Sequence, residues 1–477
     1  MKDLNIFRGL KKHKDDKGNL EQRFVTEGVD FLLKLSTRFP NKVWNKLLKL
    51  GEALDTTGEF RSAITAMREG LKMNHPLLKI PIFVAKKSPN CRKKLIKNFF
   101  LNAVLKGRKK RIEFAKVHNT PEPFFFVISP TMKCNLHCIG CYAGNYPHLA
   151  ELPLEVIDKV FTDAKEMGIY FITVSGGEPF MKKGLTDLFA KHDDIMFQVY
   201  TNGTLIDMDL AKKLADLGNV APVIALEGLE EETDYRRGKG VFKKISKAFD
   251  NLNKAGVIYG FSTVPASYNY STLLKEDFYK FLVDKGVLFG WLFQYIPIGR
   301  EPDIKLMLTP EQRVTLYEKT QEIRNKYPLF VSDFWNDGDF VNGCLAGARS
   351  GGGYFHINSK GDVEPCVFVH FAQDNIIDIY NRGGHLWDAL NSSFFKAIRA
   401  GQPWGEKHQM PCMVIDHPHC LRNLVRKTHP KPTEEGVELL IQDSPISKHL
   451  DRYSAKLDSL LEEKGTGRLK KEEKEVA

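Results

Sequence analysis

Between residues 124 and 295, six short runs rich in β-branched and aromatic residues alternate with stretches of helical spacing. This alternation limits the fold more than any other feature. The runs are 124–129, 170–175, 197–201, 223–226, 259–264 and 288–295, with helical patterns such as 153–167 and 205–217 between them. Successive strands joined by helices run parallel, because each crossover returns the chain to the same end of the sheet. Six such units predict an α/β fold, an open or partial (β/α)6 barrel. Barrels of this kind place their chemistry at the C-terminal ends of the strands.

The segments on either side differ from this core. Residues 1–120 read as basic helices: Val43, Trp44, Leu47 and Leu48 alternate with Lys42, Lys46 and Lys49, and Leu95, Ile96, Phe99, Phe100, Ala103 and Val104 share one side of a second segment that runs into Arg108-Lys109-Lys110-Arg111. Residues 1–120 hold 28 Lys+Arg and 11 Asp+Glu, a surplus of 28 − 11 = +17, so the remainder carries 11 − 17 = −6 of the net +11. An anionic partner belongs to this quarter of the chain. After the barrel, a helical connector is expected over 309–327, then an irregular region with a hairpin cue at Asn358-Ser-Lys-Gly361. The expected domains are therefore 1–120, 121–302, 303–427 and a charged tail 428–477, frayed from Glu462. No apolar run approaches the roughly 20 residues of a membrane span, and no signal-peptide core is present at the N-terminus.

Three cysteines stand directly after the first strand, in Cys134-Asn-Leu-His-Cys138-Ile-Gly-Cys141. Three thiolates in one loop hold three irons of a cubane cluster and leave the fourth open to an external ligand. A tetrahedral zinc site, with His137 as fourth ligand, or three unconnected thiols are the alternatives. Ser175-Gly176-Gly177-Glu178-Pro179 ends the second strand, and glycines there let another group approach the backbone closely.

The C-x3-C-x2-C loop together with this GGEP motif resembles the signature of the radical S-adenosylmethionine (radical SAM) superfamily. The resemblance covers residues 121–421 and implies a radical SAM barrel with a [4Fe–4S] cluster on Cys134, Cys138 and Cys141. It also implies that SAM is bound by Gly176, Gly177, Glu178 and Pro179. Thr201 and Asn202 at the end of the third strand and Glu227 at the end of the fourth match positions of ribose contacts. Arg236 or Arg237 matches the SAM carboxylate, and Tyr295 in the sixth-strand segment matches an adenine contact. A turn, a solvated carboxylate and a surface arginine are the plainer readings of these residues. One departure stands out: many members carry an aromatic residue just before the third cysteine, where this chain has Gly140, with Tyr142 after it.

Cys344, Cys366, Cys412 and Cys420 remain, and Gly361-Asp-Val-Glu-Pro-Cys366 resembles the SPASM or twitch extensions of the same superfamily. Four cysteines suffice for one auxiliary [4Fe–4S] cluster in a small α+β domain. Structural zinc, or a ligand from His356, His370, His417 or His419, is the alternative. Cys91 reads as a lone thiol.

The implied reaction is reductive cleavage of SAM to a 5′-deoxyadenosyl radical, which takes hydrogen from an unactivated C–H bond. A low-potential donor such as ferredoxin or flavodoxin is implied. No Ser-His-Asp arrangement is evident in the sequence. The basic helices suggest a lipid or other long hydrophobic substrate, with residues 1–120 on an anionic membrane surface. Packing of the same faces on the barrel is the competing explanation. A peptide- or protein-modifying maturase and a non-catalytic iron–sulfur or redox-sensing protein are the other readings. Nucleic acid is disfavoured, because no recognised module accompanies the basic stretch. The expected location is the cytoplasm, or its membrane periphery.

Overall fold

The computed structural model describes residues 17–38, 40–54, 61–73 and 75–464. Six parallel strands form its centre: β1 (Phe126–Ile128), β2 (Phe171–Val174), β3 (Met196–Thr201), β4 (Val220–Ala225), β5 (Gly260–Thr263) and β6 (Phe289–Leu292). Each falls on one of the predicted runs. Their outward residues, such as Phe126, Ile172, Val199, Ile224 and Phe261, are buried under the crossover helices in one continuous core.

The sheet does not stop at six strands. β7 (Phe330–Asp333) adds in parallel beside β6, and β8 (His356–Ile357) adds in parallel beside β1. A hairpin continues through β9 (Asp362–Glu364) to the edge strand β11 (Asp374–Asn375), while β10 (Phe371–Ala372) pairs separately with β12 (Lys431–Pro432). The order is β11-β9-β8-β1-β2-β3-β4-β5-β6-β7. The region after the connector thus closes both edges of the barrel sheet. The sheet is strongly curved: β3 and β6 would lie about 14 Å apart if flat, yet the rings of Tyr200 and Phe293 meet across the interior at 5.7 Å.

The described residues of the N-terminal region are largely helical, as expected, and part of their apolar surface is packed on the barrel. Leu33, Val84, Cys91, Ile96 and Leu101 pack with Ile258 and Leu288 of the barrel. One face differs from the prediction. Leu95–Lys106 is a π-helix, closed by the amide of Gly107 donating to the carbonyl of Asn102. The wider turn buries Asn98 and Asn102 with Ile96, Leu101 and Ala103, and leaves Phe100 50% exposed. Asn98 Nδ2 donates to the carbonyls of Asp193 and Ile195, and Asn102 Nδ2 to that of Asp194, so the asparagines hold the loop before β3. Arg111, read as part of a cationic surface stretch, is buried and donates to the carbonyls of Ala103 and Gly168.

The segment read as a charged tail contains the helix Pro445–Glu463, whose Ile446, Leu450, Tyr453, Leu457 and Leu461 belong to a separate core that also holds Trp335, Phe394 and Met413. Most of the expected frayed end, residues 465–477, lies outside the described residues. No described helix is long and apolar enough to cross a membrane.

Candidate active site

The cysteine loop leaves the end of β1 and is held from four sides. On one side lies the GGEP turn. The amides of Gly177 and Glu178 donate to the carbonyls of Thr131 and Lys133, at 2.9 and 2.8 Å. A Cβ on Gly177 would stand 2.4 Å from the Lys133 carbonyl, and one on Gly176 2.4 Å from that of Thr131. These glycines therefore admit the cysteine loop itself. Pro179 opens a short 3₁₀ turn capped by the Glu178 side chain.

Glu178 is fully buried. Its carboxylate accepts from Thr201 Oγ1 and the Asn202 amide, both at 2.8 Å. Burial pushes its carboxyl up to about 7, against the pull of these donors. Asn202 in turn reaches the loop, donating to Cys134 Sγ at 3.8 Å and to Asn135 Oδ1 at 2.8 Å. The motifs ending β2 and β3 thus form one hydrogen-bonded unit around Cys134.

The third side is a buried ion cluster. Arg236 and Arg237 both donate to Glu227 Oε1, at 2.7 and 2.8 Å. Burial works to raise the Glu227 carboxyl, but the two guanidiniums hold it below the usual carboxylate range. Arg236 also donates to the carbonyls of Ile139 and Gly140, and its own carbonyl accepts from Ile139. Glu227 is therefore an internal partner and not a solvated loop carboxylate.

The segment after β6 makes the fourth side. Arg300 donates through Nη1 to the Cys138 carbonyl and through its amide to that of Cys141, each at 3.0 Å. Tyr295 fills the space beside Gly140: a Cβ on Gly140 would lie 2.7 Å from Tyr295 Cε2. The aromatic group missing from position 140 is thus replaced at the same spot by a ring from the far edge of the barrel.

The three thiols are near enough to interact electrostatically, and burial pushes Cys134 and Cys141 up. The amides of Leu136 and Ala143 donate to Cys134 and Cys141, two residues on in each case, and Arg236 and Arg300 lower Cys141. Among the described residues no three His, Cys, Asp or Glu are arranged to hold a single metal ion. A loop of three thiols with amide donors and flanking guanidiniums fits a cluster carrying net negative charge.

A second trio lies on the auxiliary side. Cys344, Cys366 and Cys412 interact with one another, and burial drives the Cys366 thiol up to about 12. Each accepts from the amide two residues on: Ala346 at 3.5 Å, Phe368 at 3.5 Å and Val414 at 3.3 Å. Tyr354 Oη lies 3.0 Å from Cys366 Sγ. The Cys420 thiol instead meets His419 Nε2 at 3.3 Å. Cys344, Cys366 and Cys412 thus share one neighbourhood, while the contact of the Cys420 thiol is with the adjacent histidine ring.

Sequence reasoning also missed a buried chain. His356 Nε2 lies 2.8 Å from Ser129 Oγ, and His356 Nδ1 lies 2.6 Å from Glu364 Oε2. Tyr146 Oη donates to the same carboxylate at 2.7 Å. All four are buried, and the chain fastens β1 to the β8–β9 hairpin.

Comparison with known proteins follows this geometry. The model of the Radical SAM superfamily matches residues 128–275. The Fe-coproporphyrin III synthase of Methanosarcina barkeri is 36% identical over 135 residues, 27% of this chain and 34% of that protein. The mycofactocin maturase MftC of Mycolicibacterium smegmatis is 28% identical over 289 residues, 58% of this chain and 72% of that one. The chain thus spans about a third of the first relative and almost three-quarters of the second. Streptococcus suis SuiB bound to S-adenosylmethionine shares the fold, with a TM-score of 0.52 and 20% identity over 72% of this chain and 80% of that one. Residues 128–275 thus match the Radical SAM superfamily, a family that binds a [4Fe–4S] cluster and S-adenosylmethionine, and the region after the connector supplies strands to both edges of the same sheet.

Proposed function

We propose that this protein is a radical SAM enzyme that takes hydrogen from an unactivated C–H bond in a side chain of a peptide or protein. The observation that carries this reading is that the two cysteine trios are linked through one aromatic barrel interior. Tyr142, next to Cys141, bonds Ser175 of the SGGEP turn at 3.0 Å and packs its ring 5.4 Å from Phe368, two residues after Cys366. Cys134, Cys138 and Cys141 would hold the cluster that chelates SAM and supplies the electron for its cleavage. The trio of Cys344, Cys366 and Cys412 would hold an auxiliary cluster, with a fourth ligand from Cys420 or from outside the chain. Radical SAM enzymes need a low-potential reductant such as ferredoxin or flavodoxin.

Named relatives support a peptide substrate. Besides the mycofactocin maturase, the sporulation killing factor maturation protein SkfB of Bacillus subtilis is 30% identical over 139 residues. SuiB bound to its precursor peptide SuiA aligns with a TM-score of 0.50. No named relative supports a lipid substrate, and Leu33, Val84, Ile96 and Leu101 of the N-terminal helices are spent on packing against the barrel.

The test is anaerobic reconstitution with reductant and SAM, following 5′-deoxyadenosine. We expect its formation to rise with peptide fractions and to vanish in Cys138→Ala. Stimulation by lipid extract alone would overturn the peptide assignment. Failure of the native enzyme to cleave SAM under any condition would overturn the whole reading.

A further inference from the structure

The second cysteine trio has one contact that backbone amides do not account for. Cys344, Cys366 and Cys412 each accept from an amide two residues on, but Cys366 Sγ also lies 3.0 Å from Tyr354 Oη. A phenol keeps its proton at neutral pH, whereas a sulfur that ligates iron is a thiolate with only lone pairs to offer. With a cluster on the trio, the hydrogen bond therefore runs from Tyr354 to Cys366.

This hydroxyl is fixed in place. Tyr354 is 3% exposed. Its ring stacks on Phe125 at 5.0 Å with 9° between the planes, and stands edge-on to Phe334 at 6.2 Å. Its amide donates to the Leu345 carbonyl at 2.8 Å, and its carbonyl accepts from the Ala348 amide at 2.9 Å. The Gly347 amide donates to the Pro365 carbonyl at 2.8 Å, which joins the stretch after Cys344 to the one before Cys366. Phenylalanine would fill the same stack and keep the same backbone bonds, so packing does not require the oxygen. A buried hydroxyl without a partner is costly, and the partner here is a cluster ligand. Such a bond acts on redox balance: a cubane gains one negative charge on reduction, and a donor to its ligating sulfur stabilises the more negative state more strongly. Burial keeps solvent from diluting the effect.

We propose that Tyr354 raises the reduction potential of the auxiliary cluster by hydrogen-bonding through its O–H to Cys366 Sγ. It acts through that ligand and is a positioning residue. The proposal rests on the reading that the second trio holds a [4Fe–4S] cluster, and adds which side chain sets that cluster's potential.

The test uses the full chain with Cys134, Cys138 and Cys141 replaced by alanine, so that only the second trio can hold a cluster. It is reconstituted anaerobically and titrated potentiometrically, with electron paramagnetic resonance detecting the reduced cluster. Tyr354→Phe in this background should keep about four irons per molecule. Its ratio of reduced to oxidised cluster at a fixed potential should fall about tenfold, a midpoint lower by ~59 mV for one electron. Substituting 3-fluorotyrosine at position 354, a stronger donor of nearly the same shape, should move the midpoint the opposite way. An unchanged or higher midpoint in Tyr354→Phe at full iron content would overturn the proposal, as would a fluorotyrosine protein that titrates like the native residue. If Tyr354→Phe sheds its iron, the fluorotyrosine shift decides. A parent protein that takes up no iron would sink the auxiliary-cluster reading and this proposal with it, whereas full uptake with unmoved midpoints sinks the proposal alone.

Discussion

Gly177 shows how tightly single residues are constrained around the cysteine loop. A methyl group there meets the carbonyls of Lys133 and Met132 at 2.4 and 2.5 Å, and neither can give way without moving the loop. Gly177→Ala should lower stability by about 1–3 kcal/mol and reduce iron retained after anaerobic reconstitution, read by thermal melting and iron assay. Normal iron content at an unchanged melting temperature would refute this. Lys87 offers a pH test far from the site. It is buried over the Tyr259 ring at 4.5 Å, and desolvation lowers its ammonium to about 8 from 10.5. Below pH 8 the folded and unfolded chains both hold this proton, and the cost of burying the charge is fully felt. Between pH 8 and 10.5 the unfolded chain binds more protons, so stability rises with pH. Relative to Lys87→Met, the native protein should gain up to about 3 kcal/mol across this window, measured by urea unfolding of both proteins at pH 7 and pH 10. Parallel pH profiles would contradict the burial. Residues of this kind differ in how far the sequence reveals them. Cys134, Cys138 and Cys141 declare themselves by spacing, whereas Ser129 and His356 are 227 positions apart, and only strand pairing joins them. Glu227 matched a ribose contact, with a solvated carboxylate as the plainer reading, and nothing local shows that Arg236 and Arg237 fold back onto it.

Helices and strands were legible where one face is apolar and the period is ordinary. The six barrel runs and the connector helix Pro310–Lys326 follow from such patterns. Leu95–Lys106 does not, because a π-helix turns through more residues and brings two asparagines to the buried face. The C-terminal helix was hidden by its charged outer face, although Ile446, Leu450, Tyr453, Leu457 and Leu461 keep a three-to-four-residue period. That helix also supports the auxiliary trio. Ser454 Oγ donates to the Asp416 carbonyl, and the buried Arg313–Asp416 pair holds the Cys412 amide at 3.0 Å through Asp416 Oδ2. Deleting the chain from Pro445 onward should therefore lower reconstituted iron from about eight to about four atoms per molecule, four per cubane, while the first cluster remains. Retention of all eight would show that the helix only covers the core.

At the scale of the molecule, the auxiliary region supplies the strands that cover both flanks of the barrel sheet, β7 beside β6 and β8 beside β1. A polypeptide limited to residues 121–302 leaves β1 and β6 with unpaired backbone groups, which invite pairing between molecules. It should aggregate where the full chain stays dispersed, a difference read by size-exclusion chromatography. A monomeric, soluble 121–302 fragment would show that the barrel needs no such cover. This arrangement was only half visible in advance: the hairpin cue at 358–361 marks β8 and β9, but no local pattern says that they join the far side of the first strand. The same long-range construction governs the cysteine loop, which is gripped by amides of the GGEP turn and by the side chains of Asn202, Arg236 and Arg300. Its shape thus rests on groups that follow four different strands, β2, β3, β4 and β6. A substitution at the end of β3, after β4 or after β6 should therefore be felt at Cys134, Cys138 or Cys141, although none of those strands carries a cysteine.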